Sequence, residues 1–164
     1  MVVQVLKVFT EFDNIETIEF PNDHEWCFDV EICGSGDVRE KVLVSRDEEV
    51  DVPNSRGTAN LVLKVDKNSY ASITIIQIPK LTNGVVTASD AETSRWTPLI
   101  AFDCRGCEIK TWHPTGYYKV TTPAGSVFSE VDLQSGEWYE VESETHLPVS
   151  IMSFKHEFEV YRSK

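Results

Sequence analysis

The sequence predicts an all-β fold, a sandwich or two related half-barrels packed together, with very little helix. Three observations predict it. Apolar and polar residues alternate with a period of two, as in Trp26, Phe28, Val30 and Ile32 against Cys27, Asp29, Glu31 and Cys33. Turn-forming clusters separate such segments at short intervals, among them Pro21-Asn22-Asp23, Gly34-Ser35-Gly36-Asp37 and Asp66-Lys67-Asn68-Ser69. No stretch repeats apolar residues at the three- and four-residue spacing of an amphipathic helix.

Val2 to Phe12 reads as a strand, with Leu6, Val8, Thr10 and Phe12 on one face and Val3, Val5, Lys7 and Phe9 on the other. Asn14 to Phe20 extends it beyond a bend at Asp13-Asn14. The Trp26 strand turns at Gly34 to Asp37, and Val38 to Ser45 returns. Val50 and Val52 lead through Pro53-Asn54 to an Arg56-Gly57 corner, after which Ala59, Leu61, Leu63 and Val65 alternate with polar neighbours. Tyr70 to Ile78 is rich in β-branched residues and reads as a buried strand. Residues 81–96 read as a loop with at most one short helical turn. Leu99 to Asp103 runs into a second corner, Cys104-Arg105-Gly106-Cys107, and Glu108 to Trp112 leaves it. Tyr117 to Thr121, Ser126 to Val131 and Trp138 to Val141 follow. The last strand, Val149 to Arg162, turns Met152, Phe154, His156, Phe158 and Val160 to one face. A hairpin and an Arg-Gly corner occur in each half. This predicts one domain, 1–164, of two similar β halves, about 1–80 and 97–164, joined by 81–96, with their corners in equivalent positions.

At 164 residues the chain is long enough to build a core without a metal or disulfide. Its 41% hydrophobic and 26% charged residues are ordinary for a globular protein. A net charge of −12 argues against nucleic acid and anionic membranes as partners, and suits a basic protein partner as well as it suits solubility. The mixed Met1 to Phe12 segment does not read as a signal peptide, and no apolar run approaches the roughly 20 residues of a membrane span. The expectation is a cytoplasmic protein with Cys27, Cys33, Cys104 and Cys107 reduced.

Cys104 and Cys107 form the only Cys-x-x-Cys. A redox motif of this kind normally sits at a helix N-terminus, which lowers the thiol pKa; here a strand corner is expected. A structural zinc site takes four ligands. Cys27 and Cys33 lie about 20 Å apart along one strand, at about 3.3 Å per residue, so they cannot both join Cys104 and Cys107. One reading makes Cys104 a small buried apolar residue and Cys107 incidental. The other is a two-thiolate site for zinc, for a soft ion such as Cu(I), or for redox chemistry. His24, His113, His146 and His156 are scattered, His156 as a core residue and His113 as a turn residue; no catalytic constellation is found and no enzyme is predicted. Arg56 and Arg105 are expected to hydrogen-bond backbone carbonyls or a carboxylate, fixing corners to which Gly57 and Gly106 lend backbone freedom. Trp96, beside the 81–96 loop, is the tryptophan expected to be most exposed.

Phe102-Asp103-Cys104-Arg105-Gly106, Trp112-His113-Pro114, Phe128 to Leu133 and Trp138, together with Pro53 to Asn60 and Val149 to Phe158, resemble the eukaryotic CXXC-motif-containing zinc-binding protein family. The resemblance covers nearly the whole chain. It implies an all-β fold of two related halves, with a zinc site carried by the first. The family places one Cys-x-x-Cys on the hairpin after the Trp26 strand and another on the next hairpin. Here the first reads Cys33-Gly34-Ser35-Gly36 and the second, around Val65 to Asn68, has no cysteine. Three of four ligands are missing, so the expectation is a degenerate site with no cofactor, in a non-enzymatic module that binds a protein partner. The alternative is metal or redox handling through Cys104 and Cys107.

Overall fold

The computed structural model describes residues 2–162. Strand β1 (Val2–Asp13) ends at Asn14, whose φ of 58° turns the chain into β2 (Thr17–Glu19). Hairpins then follow one another: β3 (Trp26–Ile32) with β4 (Val38–Val44), β5 (Val50–Asp51) with β6 (Thr58–Ala59), and β7 (Leu61–Lys64) with β8 (Tyr70–Ile76). The 81–96 stretch is more ordered than its sequence suggests. It contains β9 (Val85–Thr87) and α1 (Ala88–Glu92), the helix started by a capping box in which Thr87 and Asp90 satisfy each other's backbone N–H. Strands β10 (Thr97–Arg105) and β11 (Cys107–His113) flank the second corner. Strands β12 (Tyr118–Thr121), β13 (Val127–Val131), β14 (Trp138–Val141) and β15 (Pro148–Tyr161) complete the chain.

The all-β prediction holds, but the strands do not sort into two halves. The main sheet has the order β14-β15-β1-β10-β8-β7, a second β11-β3-β4, and a third β13-β12-β2-β9. Each of these three combines strands from before residue 81 and after residue 96. Strand β1 is the reason: it lies antiparallel between β10 and β15, so both of its edges are occupied by the second half. Alternation shows which face a residue takes but not which strand lies beside it, so this pairing across the chain could not be read from it. The last strand also departs from its predicted face. Glu11 pairs with Ser153 and Phe12 with Ile151, leaving Met152 as an extra residue in a bulge. Val149 and Ile151 therefore point inward before the bulge and Phe154, His156 and Phe158 after it, while Met152 and Val160 are exposed.

The second sheet packs its inner face on the main one. Phe28 meets Phe102 and Phe158 edge-on at 5.0 and 5.8 Å, and Trp112 meets Phe154 at 5.7 Å. Phe20, just beyond β2, brings the third sheet in against Trp26 and Trp112 of the second sheet at 6.2 and 6.3 Å and against Phe154 of the main sheet at 6.4 Å. Trp96 is half-buried against Phe9, and Trp138 is half-buried as well.

Two polar groups tie these layers together from inside. Gln4, buried on the inward face of β1, donates from Nε2 to the Ile109 carbonyl at 3.0 Å and accepts the Ile109 N–H on Oε1 at 2.8 Å. It thereby acts as a strand-like partner for β11 from across the layer gap. Glu142, fully buried just after β14, accepts from Thr122, Thr145 and Asn14 and so joins three loops. Hydrogen bonds from Ser126, Thr122 and Thr145 lower its carboxyl from the usual 4.5 to about 2.

Replacing Gln4 by Leu leaves the Ile109 N–H and carbonyl buried and unpaired, at about 1–3 kcal/mol for each. A domain of this size loses roughly 2–4 °C of Tm per kcal/mol, so a clear drop is expected in a thermal melt; an unchanged Tm contradicts the role given to Gln4. For Glu142 the folded pKa lies below the unfolded one. Its contribution is therefore complete above the unfolded value and is lost as pH falls toward about 2. Urea midpoints measured from pH 6 to pH 2 should show Glu142→Gln weaker than the native chain at pH 6, with the gap closing toward pH 2.

Candidate functional site

The chain leaves the main sheet at Arg105 and enters the second at Cys107, with Gly106 as the only residue between the strands. Gly106 has φ +72°, a region in which a side chain is strained, and a Cβ there would sit 3.5 Å from that of Ala71. The Gly106 carbonyl accepts the Cys33 N–H at 3.0 Å, so the hairpin after β3 is held against the corner. Arg105 Nη2 stands 3.5 Å from Asp103 Oδ2, in keeping with the carboxylate partner expected for it.

Both corner cysteines are buried, which corrects the incidental reading of Cys107. The Cys104 thiol donates to Gln4 Oε1 at 3.5 Å, and that of Cys107 to the Ser72 carbonyl at 3.7 Å. Cys104 can instead turn its single S–H toward the Cys107 sulfur, a bond that favours ionisation of Cys107. That bond, with burial, pushes Cys104 far up; it draws Cys107 down, helped by the Arg105 backbone N–H and against burial. Cys107 is thus the thiol of the pair that ionises first. Cys33 is exposed, whereas Cys27 lies at the other end of β3, paired in register with His113, its thiol raised by burial. No disulfide forms among the four, all of which are free.

The first corner differs from the second in its setting. Arg56-Gly57 lies at the tip of the two-stranded β5–β6 hairpin. Ser55 holds that tip, its Oγ accepting the Gly57 N–H at 3.2 Å. Asn54, at φ 62°, takes the left-handed position that had been expected of Gly57. No ion pair or hydrogen bond of the Arg56 side chain is found among the described residues, because the tip projects into solvent; the expected fixing role falls to Ser55.

The hairpin after β3 and the one between β7 and β8 are the two on which cysteine pairs would be sought. The first closes with Ile32 N–H on the Asp37 carbonyl at 2.8 Å, and the second with Val65 N–H on the Ser69 carbonyl at 2.9 Å. The Asp66 carboxylate accepts the Asn68 N–H at 2.9 Å, and this bond, with Ser69, keeps its pKa low. Arg39 connects the hairpins: Nε donates to Asp37 Oδ2 at 2.8 Å and Nη2 to the Lys64 carbonyl at 3.0 Å. No group of three or more His, Cys, Asp or Glu side chains able to hold a metal ion occurs among the described residues.

The histidines sit apart from this corner. His113 is a strand residue rather than a turn residue, its Nε2 2.9 Å from Asp29 Oδ1. The Lys41 N–H and His113 both lower the Asp29 carboxyl. His156 is half-buried edge-on to Trp112, and burial and the nearby His113 lower its pKa. His24 is buried beside Trp26 and Tyr118, which brings its pKa to about 4. A cleft beside Phe20, Trp26, Arg46 and Leu99 encloses about 50 Å³, far below the several hundred Å³ of a metabolite site. Sequence reasoning passed over Gln4 and Arg39. Gln4 had a signal, being a long polar side chain in an inward row that also holds Leu6 and Val8; Arg39 had none, since its carbonyl partner lies 25 residues away.

Residues 5–159 match the family model described as CXXC motif containing zinc binding protein, eukaryotic. A UPF0587 protein of Dictyostelium discoideum is 27% identical over 157 residues, covering 94% of this chain and 96% of the relative. A CXXC motif containing zinc binding protein of Rattus norvegicus is 28% identical over 138 residues, covering 83% and 84%. A solved structure, a hypothetical protein from Plasmodium falciparum, superposes with a TM-score of 0.88 at 22% identity, covering 97% of this chain and all of that one, and shares its fold.

Substituting Gly106 by Ala should cost about 1–2 kcal/mol through backbone strain alone. Chemical denaturation followed by tryptophan fluorescence checks it; an unshifted midpoint contradicts the strain argument.

Proposed function

The chain belongs to the eukaryotic CXXC motif containing zinc binding protein family, and from that premise we propose that it keeps the family scaffold without the family's zinc and acts as a non-enzymatic protein-binding module. The observation that carries this reading is the pair of hairpins joined by Arg39. Of the donors expected there, Cys33 alone is present, and Gly36, Asp66 and Asn68 are engaged in turn formation instead. Cys104 and Cys107 point their thiols at Gln4 and Ser72 on the buried side of the corner, whereas Cys33 is exposed. These residues do not fit a tetrahedral thiolate site.

The energetics support the same reading. A structural zinc ion contributes on the order of 10–16 kcal/mol of apparent binding free energy. A solvent-exposed arginine contact such as that of Arg39 contributes about 1 kcal/mol or less. Arg39 therefore sets how the hairpins lie together and does not replace the metal's energy. That energy comes from the core, where Phe28, Ile32, Ile73 and Trp112 are fully buried, each side chain of this kind contributing about 1.5–3 kcal/mol. The dispersal of the histidines favours binding over catalysis.

A second reading, metal or redox handling, rests on the thiols of Cys104 and Cys107, of which Cys107 ionises more readily. Thiol titration of the folded chain separates the two readings. Slow labelling of both cysteines until denaturant is added favours a structural pair; fast labelling of Cys107 favours the second.

Metal analysis after expression with added zinc, and melting with and without a chelator, test the main reading. Zinc well below one ion per chain and a Tm unmoved by chelation are expected. Stoichiometric zinc with a large fall in Tm on chelation overturns it.

A further inference from the structure

We infer that the free edge of β14 is a docking site for a basic, strand-forming segment of a partner protein, which adds to the main sheet beyond β14; this rests on the protein-binding reading above. Strand β14 ends the order β14-β15-β1-β10-β8-β7, so one of its sides has no strand beside it among the described residues. Backbone N–H and carbonyl groups on such a side are the ones that β-strand addition uses.

The edge is unusually apolar. Tyr139 and Val141 lie on the outward face of β14, with Ser150 and Pro148 as their neighbours on β15. Tyr139 is 63% exposed, Val141 59%, Leu147 52% and Met152 44%. Trp138 turns the other way onto Phe128 at 5.2 Å and anchors the strand from beneath. The loop from β14 to β15 is fixed as well: Glu142 N–H donates to the Leu147 carbonyl and His146 N–H to the Glu142 carbonyl, both at 2.9 Å. An edge held in this way loses little conformational entropy on binding.

Charge identifies the occupant. Residues 120–154 contain no Lys or Arg, and Glu130, Asp132, Glu137, Glu140 and Glu144 are exposed among them. Two copies of this edge would bring like charges together, which disfavours self-pairing. A strand alternating apolar with Lys or Arg residues satisfies both the apolar face and the acidic surroundings. The opposite edge of the sheet, β7, lacks this combination: it carries Lys64, whose carbonyl is engaged by Arg39.

The test uses the full chain and three labelled ten-residue peptides. One alternates Val with Lys and Arg; a second has Glu in place of each basic residue; a third has the first sequence with Pro at alternate positions, which removes the donors for pairing. Anisotropy measures binding and backbone amide shifts locate it. The basic peptide is expected to bind at least tenfold more tightly than the other two and to shift amides within residues 137–148. Combined Glu137→Lys and Glu140→Lys, or Tyr139→Ser, should weaken it tenfold or more, whereas Val127→Ser on β13 should not. Equal binding of all three peptides, no binding of the basic one, or shifts centred elsewhere overturns the inference. Concentration-dependent dimerisation that shifts the same β14 amides overturns it in favour of a second copy. Binding of the basic peptide at another surface would sink the β14 assignment while leaving the protein-binding reading standing; that reading fails instead on zinc stoichiometry or on fast Cys107 labelling.

Discussion

Gln4 carries the constraint on which the rest of the molecule depends. A sandwich layer normally meets its neighbour through side chains alone, and its backbone bonds stay within the sheet. Here a single carboxamide reaches across the gap and bonds both polar groups of Ile109. Its oxygen also receives the Cys104 thiol, so the corner that carries the chain between the layers is tied to the bond that holds them. Once Gln4 fixes β11 against β1, the pairing of β11 with β3 places the Cys33 hairpin, whose N–H then caps Gly106. The apolar faces bring the layers together without direction; this polar group sets where they stop sliding.

How much of this was legible in the sequence depends on how local each cause is. The β3–β4 hairpin was readable because alternation and turn residues lie within twenty positions of each other. The Gly106 corner was readable for the same reason, since its strain is set by one residue's φ. The Arg56-Gly57 corner resembled it in letters only: its left-handed residue is Asn54 and its fixing residue Ser55. The bulge at Met152 was invisible, because it answers a register imposed by β1, more than a hundred residues earlier. The placement of β1 between two strands of the second half was invisible for that reason too. Of the candidate site, the burial of Cys104 was legible, whereas the hydrogen bond that the Cys107 thiol donates to the Ser72 carbonyl needed the fold.

The two hairpins are held in place by the fold itself and by Arg39. A zinc site spends four thiolates to join segments that lack other reasons to meet. In this chain the β3–β4 hairpin already meets the corner through Gly106, and the β7–β8 hairpin already belongs to the main sheet through β10. What remains is their mutual orientation, a requirement that two directed hydrogen bonds from one guanidinium meet. Arginine suits this better than lysine, because its planar fork reaches Asp37 and the Lys64 carbonyl at the same time.

The same separation of energy from orientation explains the acidic edge. Interior packing, with Trp138 on Phe128 and Glu142 beneath the loop, is sufficient to hold β14 in place without a further strand. Its outward residues are then free of any duty to the fold, yet they are apolar where a solvated edge strand ordinarily carries lysine. An edge both apolar and unguarded would pair with copies of itself. Surrounding it with carboxylates disfavours that outcome, and in the proposed docking the charge then acts as a selector of partners and not as a block. The stability of the sheet and the chemistry of its edge are consequently set by different residues.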